Sequence, residues 1–494
     1  MSGRRRMVVG ATAVAAAVVA GRLRRSGRSA SVDRETPPGP VGAAFLEHLA
    51  EAVRIPTVAF EEPGRTDPGA LVSFHEFLRA TYPRVFASLD HEVVGGHSLL
   101  FRWEGTNPGA DPVMLMAHMD VVPVEEGTEP DWPFPPFSGE RDRTHLWGRG
   151  TLDDKGSLVA FLEAVEGLLD VGFAPEATLY LSLGHDEEIG GDGARSVAAH
   201  LADRGVSLRF VLDEGGAVVE DVLPGARRPV AMLGIGEKGS LNVELSASGT
   251  GGHSSVPPPS TAIGLVAAAI AALEANPMPA RLDLQRGLFD VLASVLPVHR
   301  ALPFRHVRRL GRVVARLLAS RPASNALIRT TSAVTMVAGG VKPNVLPQQA
   351  SAIVNFRIMP GDSVEEVLAH VRATAGPAIQ VRPMEGGFDA DPPPLSDTDS
   401  STYRLLAETI GQVFPGAAVA PWILMGATDS RHMVPIAENV YRFAPFTVTP
   451  EDMGRVHGTG ERIRLSDADR AVTFYSELIR RACGPVGSGP GSRR

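Results

Sequence analysis

The stretch PVMLMAHMDVVPV, residues 112–124, decides the fold. Its almost continuous apolar run is typical of a strand that is buried on both faces of a parallel sheet. Two more apolar runs, at 177–183 and 208–212, have the same character, and the amphipathic segment 157–169 predicts a helix between strands. We therefore expect an α/β fold in which a mostly parallel central sheet is flanked by helices.

Polar residues follow each of these three predicted strands. His118 and Asp120 follow the first, Glu187 and Glu188 in GHDEEIGG (184–191) follow the second, and Asp213 in VLDEGG (211–216) follows the third. Ligand sites of open α/β sheets lie at the carboxyl ends of the strands. These side chains are therefore predicted to meet at one edge of the sheet.

A fourth acidic motif, WGRGTLDDKGSLVA (147–160), places Asp153 and Asp154 just before the predicted helix. Taken singly, the motifs have ordinary explanations: a hydrogen-bonded core histidine, a helix cap or a solvated acidic loop. Taken together, they supply oxygen and nitrogen ligands suited to zinc, manganese or cobalt, because carboxylates crowded at buried strand ends require cations. A general base, Glu187, beside a metal ligand, Glu188, is what a hydrolytic metal site needs.

Composition narrows the class of protein. At roughly 150 residues per domain, the 494 residues predict two to four domains. Cys483 is the only cysteine, which excludes a disulfide framework, iron–sulfur clusters and thiolate zinc sites. The net charge of -8 gives no support for nucleic-acid binding. No GxSxG, phosphate-binding loop or HExxH motif offers another catalyst.

A second domain is predicted to interrupt the first. From residue 236 the pattern changes to alternating strands at 240–248 and 350–358, a further strand near 379–383, and helices at 261–275 and 363–373. These elements predict a smaller α+β domain, with a four-stranded antiparallel sheet plus two helices, that is inserted into the first domain. The predicted boundaries are 41–235 for the first part of the catalytic domain, 236–387 for the insert and 388–483 for the second part.

The segment 281–329 adds helices inside this insert. One of them has an apolar stripe (Val307, Leu310, Val313, Val314 and Leu317) beside the cationic residues Arg308, Arg309, Arg312 and Arg316. A surface helix with a solvated basic face is the simpler interpretation. Contact with anionic lipid or with an acyl chain is the alternative.

The two ends of the chain have their own character. Residues 1–40 combine three arginines, a short apolar run (7–21), a second basic cluster and a linker, which together predict a signal peptide or an N-terminal anchor. We therefore expect an exported protein, from which this segment is cleaved, or a protein that the uncleaved segment anchors to the membrane. A cytoplasmic protein is the alternative. Residues 484–494 are predicted to be a disordered tail.

Seven motifs, in chain order, resemble those of the dizinc aminoacylases and carboxypeptidases, a family that includes acetylornithine deacetylase and glutamate carboxypeptidase. They are HMDVVP, GRGTLDDKG, the Glu-Glu pair, GGHSSVPP, PNVLPQQA, GATDSRHM and VHGTGERI. The resemblance spans about residues 42–480. The insertion and SNALIRTT are most similar to the branch of carboxypeptidase S and the secreted N-fatty-acyl-amino-acid hydrolase/synthases.

This resemblance implies a site with two Zn²⁺ ions per subunit, for which Co²⁺ or Mn²⁺ could substitute. The implied ligands are His118 and Asp213 for one ion, Glu188 and His457 for the other, and Asp153 as the bridge. It also implies a small-molecule substrate, either an N-acyl amino acid or a short peptide, cleaved next to its free carboxylate. A strict dipeptidase, and a metal-dependent binding protein without catalysis, are the alternatives.

The resemblance also implies roles for residues that are not metal ligands. Asp120 would orient His118, Glu187 would be the general base, and His253 would reach from the partner subunit of a homodimer to polarise the scissile carbonyl. The inserted domain would be a lid and dimerisation domain. The implied substrate-binding residues are Asn344 and Arg357 on this domain, and Gly426 and Arg431 at the free carboxylate.

Overall fold

The computed structural model describes residues 38–62, 64–221, 225–384 and 389–485. The predicted N-terminal segment, most of the predicted tail and the predicted boundary at 387/388 lie outside the described residues. Within the described ranges, no helix is both long enough and apolar enough to cross a membrane.

The strands are numbered in chain order. They are β1 (Asp90–Val94), β2 (Ser98–Trp103), β3 (Val113–His118), β4 (His145–Trp147), β5 (Leu179–Gly184), β6 (Phe210–Asp213), β7 (Val218–Val219), β8 (Val230–Glu237), β9 (Gly239–Ser248), β10 (Gly252–His253), β11 (Thr331–Gly339), β12 (Val345–Leu346), β13 (Gln349–Ile358), β14 (Gln380–Pro383), β15 (Ala418–Leu424), β16 (Val440–Arg442), β17 (Thr447–Val448) and β18 (Arg462–Arg464).

The α-helices are numbered in the same way. They are α1 (Pro40–Val53), α2 (Pro68–Thr81), α3 (Pro83–Ser88), α4 (Lys155–Asp170), α5 (Asp192–Asp203), α6 (Ala262–Ala275), α7 (Arg286–Val295), α8 (Val298–Arg305), α9 (Val307–Ala319), α10 (Pro322–Ala326), α11 (Val364–Ala375), α12 (Ser401–Val413), α13 (Pro450–Met453) and α14 (Ala468–Cys483).

The central sheet brings three predicted strand ends to one edge. Its order is β1-β2-β5-β3-β6-β16-β8-β7-β17, and β15 pairs with β8. β3 lies between β5 and β6 and runs parallel to both. Every residue of β3, β5 and β6 is buried, as the continuous apolar runs predicted. The mostly parallel sheet is therefore confirmed, and its carboxyl edge collects the polar residues that follow these strands.

Helices cover the central sheet because their apolar faces match its buried strands. On α4, Leu158, Leu162 and Val165 are fully buried in the main core cluster. The helix α14 packs against α4 through contacts such as that between the rings of Tyr475 and Phe161, whose centroids are 5.7 Å apart. Because α4 starts at Lys155, this packing fixes the end of the loop that carries Asp153.

The insert forms a separate antiparallel sheet of order β11-β13-β9-β14. The alternating pattern of β9 buries Leu241, Val243 and Leu245 in one apolar cluster together with residues of α6 and α11. This confirms the predicted four-stranded α+β arrangement. We call this sheet, together with β10, β12, α6 and α11, the lid.

The helices α7–α10 interrupt the lid in sequence but do not pack on its sheet. Phe289 and Leu292 of α7 join Trp422 of β15 in a cluster on the catalytic sheet. Gly287 lies so close to this strand that a Cβ atom there would be 2.4 Å from Pro421. The segment is therefore anchored to the catalytic domain, and we call α7–α10 the helical insertion.

Candidate metal centre

His118 ends β3 and is oriented by the backbone just beyond it. Its Nδ1 lies 3.0 Å from the carbonyl oxygen of Asp120, to which the ring N–H donates. Its Nε2 lies 3.0 Å from Oδ1 of Asp153. Only 2% of His118 is exposed, so the ring is held in one orientation by burial and by these two contacts.

Asp153 lies between two histidines from opposite ends of the chain. Its Oδ1 faces His118, and its Oδ2 is 3.0 Å from Nε2 of His457. The same His457 nitrogen is 3.2 Å from Oε2 of Glu188. His457 has a φ of 59°, which is unusual for a residue with a side chain and is a form of strain found at functional sites.

Asp120 contacts the turn that carries the glutamate pair as well as His118. Its Oδ1 lies 3.5 Å from Nδ1 of His118. Its carboxylate also accepts hydrogen bonds from the backbone N–H groups of Glu187, at 3.3 Å, and of Glu188, at 3.1 Å. One buried carboxylate thus fixes the relative positions of β3 and of the short 3₁₀ helix Glu187–Ile189.

Two neighbouring acids lie at the end of the third strand, and only one of them belongs to a group of potential ligands among the described residues. Glu214 groups with His118 and Asp153, with potential ligand atoms all within 4.8 Å of one another, whereas Asp213 belongs to no such group among the described residues. Asp213 is the last residue of β6, and its Oδ2 accepts a hydrogen bond from the backbone N–H of Ser430. Glu214 follows the strand end and is the acid that faces the site.

A second buried pair ties the two halves of the site together. Glu461 is fully buried and accepts hydrogen bonds from the backbone N–H groups of Leu152, at 2.8 Å, and Asp153, at 3.1 Å. Its other oxygen is 2.6 Å from the guanidinium of Arg149, which also donates to the carbonyl of Gly458. This pair therefore links the loop of Asp153 to the loop of His457.

Burial and like charges raise the pKa values of three glutamates at this edge. Burial raises the pKa of Glu187 well above its ordinary value, and the nearby Asp429, Glu214 and Glu188 raise it further, although His118 opposes them. The pKa values of Glu214 and Glu188 are also raised, with burial as the main cause. Each shift reflects negative charge that is expensive without a compensating cation.

The histidines show the complementary effect. Hydrogen bonds to Asp153 and Glu188 raise the pKa of His457 to about 10. Burial lowers the pKa of His118, but contacts with Asp120 and Asp153 outweigh it and raise that pKa well above its ordinary value. The carboxylates at this edge thus stabilise the protonated, positively charged form of both histidines.

The residues present fit divalent metal ions. Their potential ligand atoms lie in three overlapping groups: His118, Asp153 and Glu214; His118, Glu187 and Glu188; and Asp153, Glu188 and His457. Oε1 of Glu188 is buried and has no hydrogen-bond partner among the described residues. Nitrogen and oxygen donors with an unused buried carboxylate oxygen suit zinc or manganese. We call these six residues the acidic cluster.

The lid residues expected at the site do not join this cluster within the chain. His253, on β10, is exposed, and its Nδ1 lies 2.8 Å from the hydroxyl of Ser255. The carbonyl of Asn344 accepts a hydrogen bond from the N–H of Ser254, so His253 and Asn344 lie near each other. Arg357 is exposed on β13, at the end of the lid where β9 begins.

The loop after β15 carries the other two expected substrate residues. Gly426 is exposed, and nothing lies within 4 Å of the position that a Cβ atom would take. The guanidinium of Arg431 donates to the carbonyls of Thr428, at 3.0 Å, and Gly190, at 2.9 Å. Because Gly190 closes the turn of the glutamate pair, Arg431 lies beside the acidic cluster.

The α/β sheet, the lid and the acidic cluster define a metallopeptidase or metallo-amidohydrolase. The chain belongs to peptidase family M20/M25/M40, whose model matches residues 114–481.

Relatives of known name agree with this class. The chain is 40% identical over 442 residues to an N-fatty-acyl-amino acid synthase/hydrolase PM20D1 of Xenopus tropicalis, covering 88% of this chain and 85% of that protein. It is 33% identical over 487 residues to carboxypeptidase S of Saccharomyces cerevisiae, covering 88% and 83%. The predicted resemblance to this branch is confirmed.

Solved structures share the fold. An M20 family metallo-carboxypeptidase of Sulfolobus solfataricus superposes with a TM-score of 0.63 at 20% identity, covering 89% of this chain and 99% of that one. A dinuclear metal-binding M20 peptidase of Bacillus subtilis superposes with a TM-score of 0.54 at 13% identity, covering 89% of this chain and 99% of that one.

Proposed function

We propose that the protein is a zinc-dependent hydrolase that cleaves the amide bond of N-acyl amino acids or short peptides next to a free carboxylate. The observation that carries this proposal is the convergence of two histidines and four glutamate or aspartate side chains at one sheet edge. Relatives whose names specify N-fatty-acyl-amino acids and carboxypeptidase activity support the substrate class.

We assign His118 and Glu214 to one zinc ion, Glu188 and His457 to a second, and Asp153 to both. The assignment is supported by the two oxygens of Asp153, which face different histidines at 3.0 Å. Glu214 replaces Asp213 in the expected set because it shares a group with His118 and Asp153. When bound, two such ions polarise the scissile carbonyl and lower the pKa of water between them.

Glu187 is proposed to move the proton. Its backbone is held by Asp120, and burial raises its pKa, so the carboxylate accepts a proton readily from the attacking water and can later deliver it to the leaving amine. A glutamine at this position cannot do this, since a neutral amide is too weak a base to accept a proton from water. This role separates Glu187 from the ligands around it.

Substrate recognition is assigned to the loop after β15 and to the lid. Arg431 and the exposed backbone at Gly426 would hold the free carboxylate, because a guanidinium can donate two hydrogen bonds to it. Asn344 and Arg357 would line the lid side of the substrate. His253 would donate to the oxyanion that forms at the scissile carbonyl.

A homodimer would supply His253 from the partner subunit. The proposal is supported by the exposure of His253 and by the position of β11 at the edge of the lid sheet. On β11, Met336 and Val337 are 63% and 66% exposed. An unpaired strand edge with exposed apolar side chains is a template for pairing with another chain.

A strict dipeptidase or carboxypeptidase is the second candidate, favoured by the identity to carboxypeptidase S. Hydrolysis of N-acyl amino acids graded by acyl length, beside matched dipeptides, distinguishes the two. For an acyl pocket, kcat/KM should rise by about fourfold per methylene until the pocket is filled, since each buried methylene contributes about 0.8 kcal/mol. A dipeptidase should show no such gradient.

The same panel tests the general proposal. Turnover should vanish with a chelator and return with zinc. If the protein binds metal but hydrolyses none of these substrates, it is a metal-dependent binding protein and the proposed activity is wrong.

A further inference from the structure

One long stretch of this acidic protein contains no acid. Between Asp290 and Asp362 there is no aspartate or glutamate, although the chain as a whole has a net charge of -8. The same stretch contains ten basic residues, six of them at positions 300–316. Positive charge is thus concentrated on the helical insertion and on the part of the lid that follows it.

The helix α9 does not bury the apolar stripe that its sequence predicts. Of the side chains of that stripe, only Val314 is fully buried. Leu310, Val313 and Leu317 are 39%, 57% and 37% exposed. A surface helix that merely covered a core would turn this stripe inward, so the exposed side chains need another explanation.

Arginines border this exposed row on one side of the helix. Arg308, Arg309, Arg312 and Arg316 are exposed and form no ion pair with a described carboxylate. Arg286, Arg305, Arg308 and Arg309 line a cavity of about 410 Å³ beside Phe304 and one acid, Asp290. The surface therefore combines unneutralised guanidinium groups with aliphatic side chains, and we call α9 with this cavity the basic face.

We propose that the basic face docks the protein on an anionic lipid surface. Leu310, Val313 and Leu317 enter the headgroup region, and the arginines pair with lipid phosphates while their aliphatic stems stay with the apolar row. The charge of the face is complementary to an anionic leaflet, to which each added arginine strengthens binding. The role is independent of the acidic cluster.

Other occupants fit this face less well. A symmetric contact with the same face of a second copy would place arginines opposite arginines, and like charges facing each other are repulsive. Single-stranded nucleic acid is bound on aromatic side chains, whereas the exposed row here is aliphatic. The geometry therefore favours a surface that is anionic outside and apolar just beneath.

The test uses a fluorophore placed on the face of the full-length protein. Cys483, the only cysteine, is buried, so Val313→Cys can be labelled selectively with an environment-sensitive dye. Vesicles of phosphatidylcholine mixed equally with phosphatidylglycerol should shift its emission to the blue, and pure phosphatidylcholine vesicles should not. The matched control is Val171→Cys, whose position is 66% exposed and lies outside the helical insertion.

A second variant tests the charge. Replacing Arg308, Arg309, Arg312 and Arg316 together by glutamine should raise the half-saturating lipid concentration on the order of a hundredfold, because each arginine contributes to attraction. Hydrolysis of a soluble substrate should be unchanged, which shows that the variant is folded.

Three results would overturn the proposal. The dye at 313 could fail to respond to anionic vesicles, or the control dye at 171 could respond equally. The dye could instead respond to protein concentration or to single-stranded nucleic acid in the absence of lipid, which would assign the face to self-association or to nucleic acid.

Discussion

The acidic cluster and the lid differ in how complete they are within one chain. In the acidic cluster, Asp153 contacts His118 and His457 at 3.0 Å, and His457 contacts Glu188 at 3.2 Å, although these residues are far apart in the sequence. His253 and Asn344 on the lid are exposed, and the hydrogen bonds found for them among the described residues are with neighbouring lid residues such as Ser254 and Ser255. The sheet thus brings the potential metal ligands together within one chain, whereas the part of the proposed site that would stabilise the oxyanion would depend on a second copy or on movement of the lid.

The largest effect should come from the cluster. Glu187→Gln should lower kcat by about 10²–10⁴-fold, the range expected for loss of a general base. Its metal content should be unchanged, because the glutamine keeps the shape of the side chain and Glu188 remains. Turnover with a panel substrate, together with elemental analysis, measures both. A wild-type kcat in this variant would show that Glu187 is not the general base.

On the lid, His253→Ala should lower kcat by about 10²–10³-fold, as expected for loss of one oxyanion donor. If His253 acts across a dimer interface, mixing this variant with Glu187→Gln should restore part of the activity, since one site of each mixed dimer is complete. The control pairs Glu187→Gln with a chain carrying both substitutions. Recovery absent from the mixture, or equal in the control, would place His253 in its own chain's site.

The two neighbouring acids at the end of β6, Asp213 and Glu214, allow the membership of the acidic cluster to be tested. Glu214→Gln should weaken zinc binding more than Asp213→Asn, because Glu214 groups with His118 and Asp153. In Asp213→Asn, the zinc affinity should fall by about 10–100-fold, the loss typical of a residue that only orients a ligand. In Glu214→Gln, the loss of zinc affinity should be larger than this. Competition with a chromogenic chelator gives both affinities. The reverse order would restore Asp213 as the ligand.

The smallest effect concerns the link between the two metal-bearing loops. Glu461→Gln should weaken zinc binding by about 10–100-fold, because the amide cannot satisfy both the Arg149 guanidinium and the backbone N–H groups. Excess zinc should restore most of kcat, as expected of a positioning residue. The exposed Glu438→Gln is the control. An unchanged zinc affinity would show that the link is only structural.

Much of this architecture is predictable because the pattern is local. Continuous apolar runs located β3, β5 and β6, and alternation located β9 and β13, to within about two residues. Because ligand sites of α/β sheets lie at the carboxyl ends of the strands, the acidic motifs could also be predicted to meet at one edge of the sheet.

What could not be predicted depends on tertiary contacts or on single-residue register. Asp213 and Glu214 are adjacent at a strand end, where successive side chains point to opposite faces and the last strand residue is ambiguous. The Arg149–Glu461 pair joins residues 312 positions apart, so no local pattern indicates it. Periodicity showed the stripe on α9, but only packing reveals that Leu310, Val313 and Leu317 remain exposed.

The central claim is that cations neutralise the crowded carboxylates of the acidic cluster. Elemental analysis of the purified protein, after reconstitution with zinc and removal of unbound metal, tests it most directly. The account predicts close to two ions per chain, and a fall in that number in Glu214→Gln. Fewer than one ion per chain in the wild-type protein would contradict it.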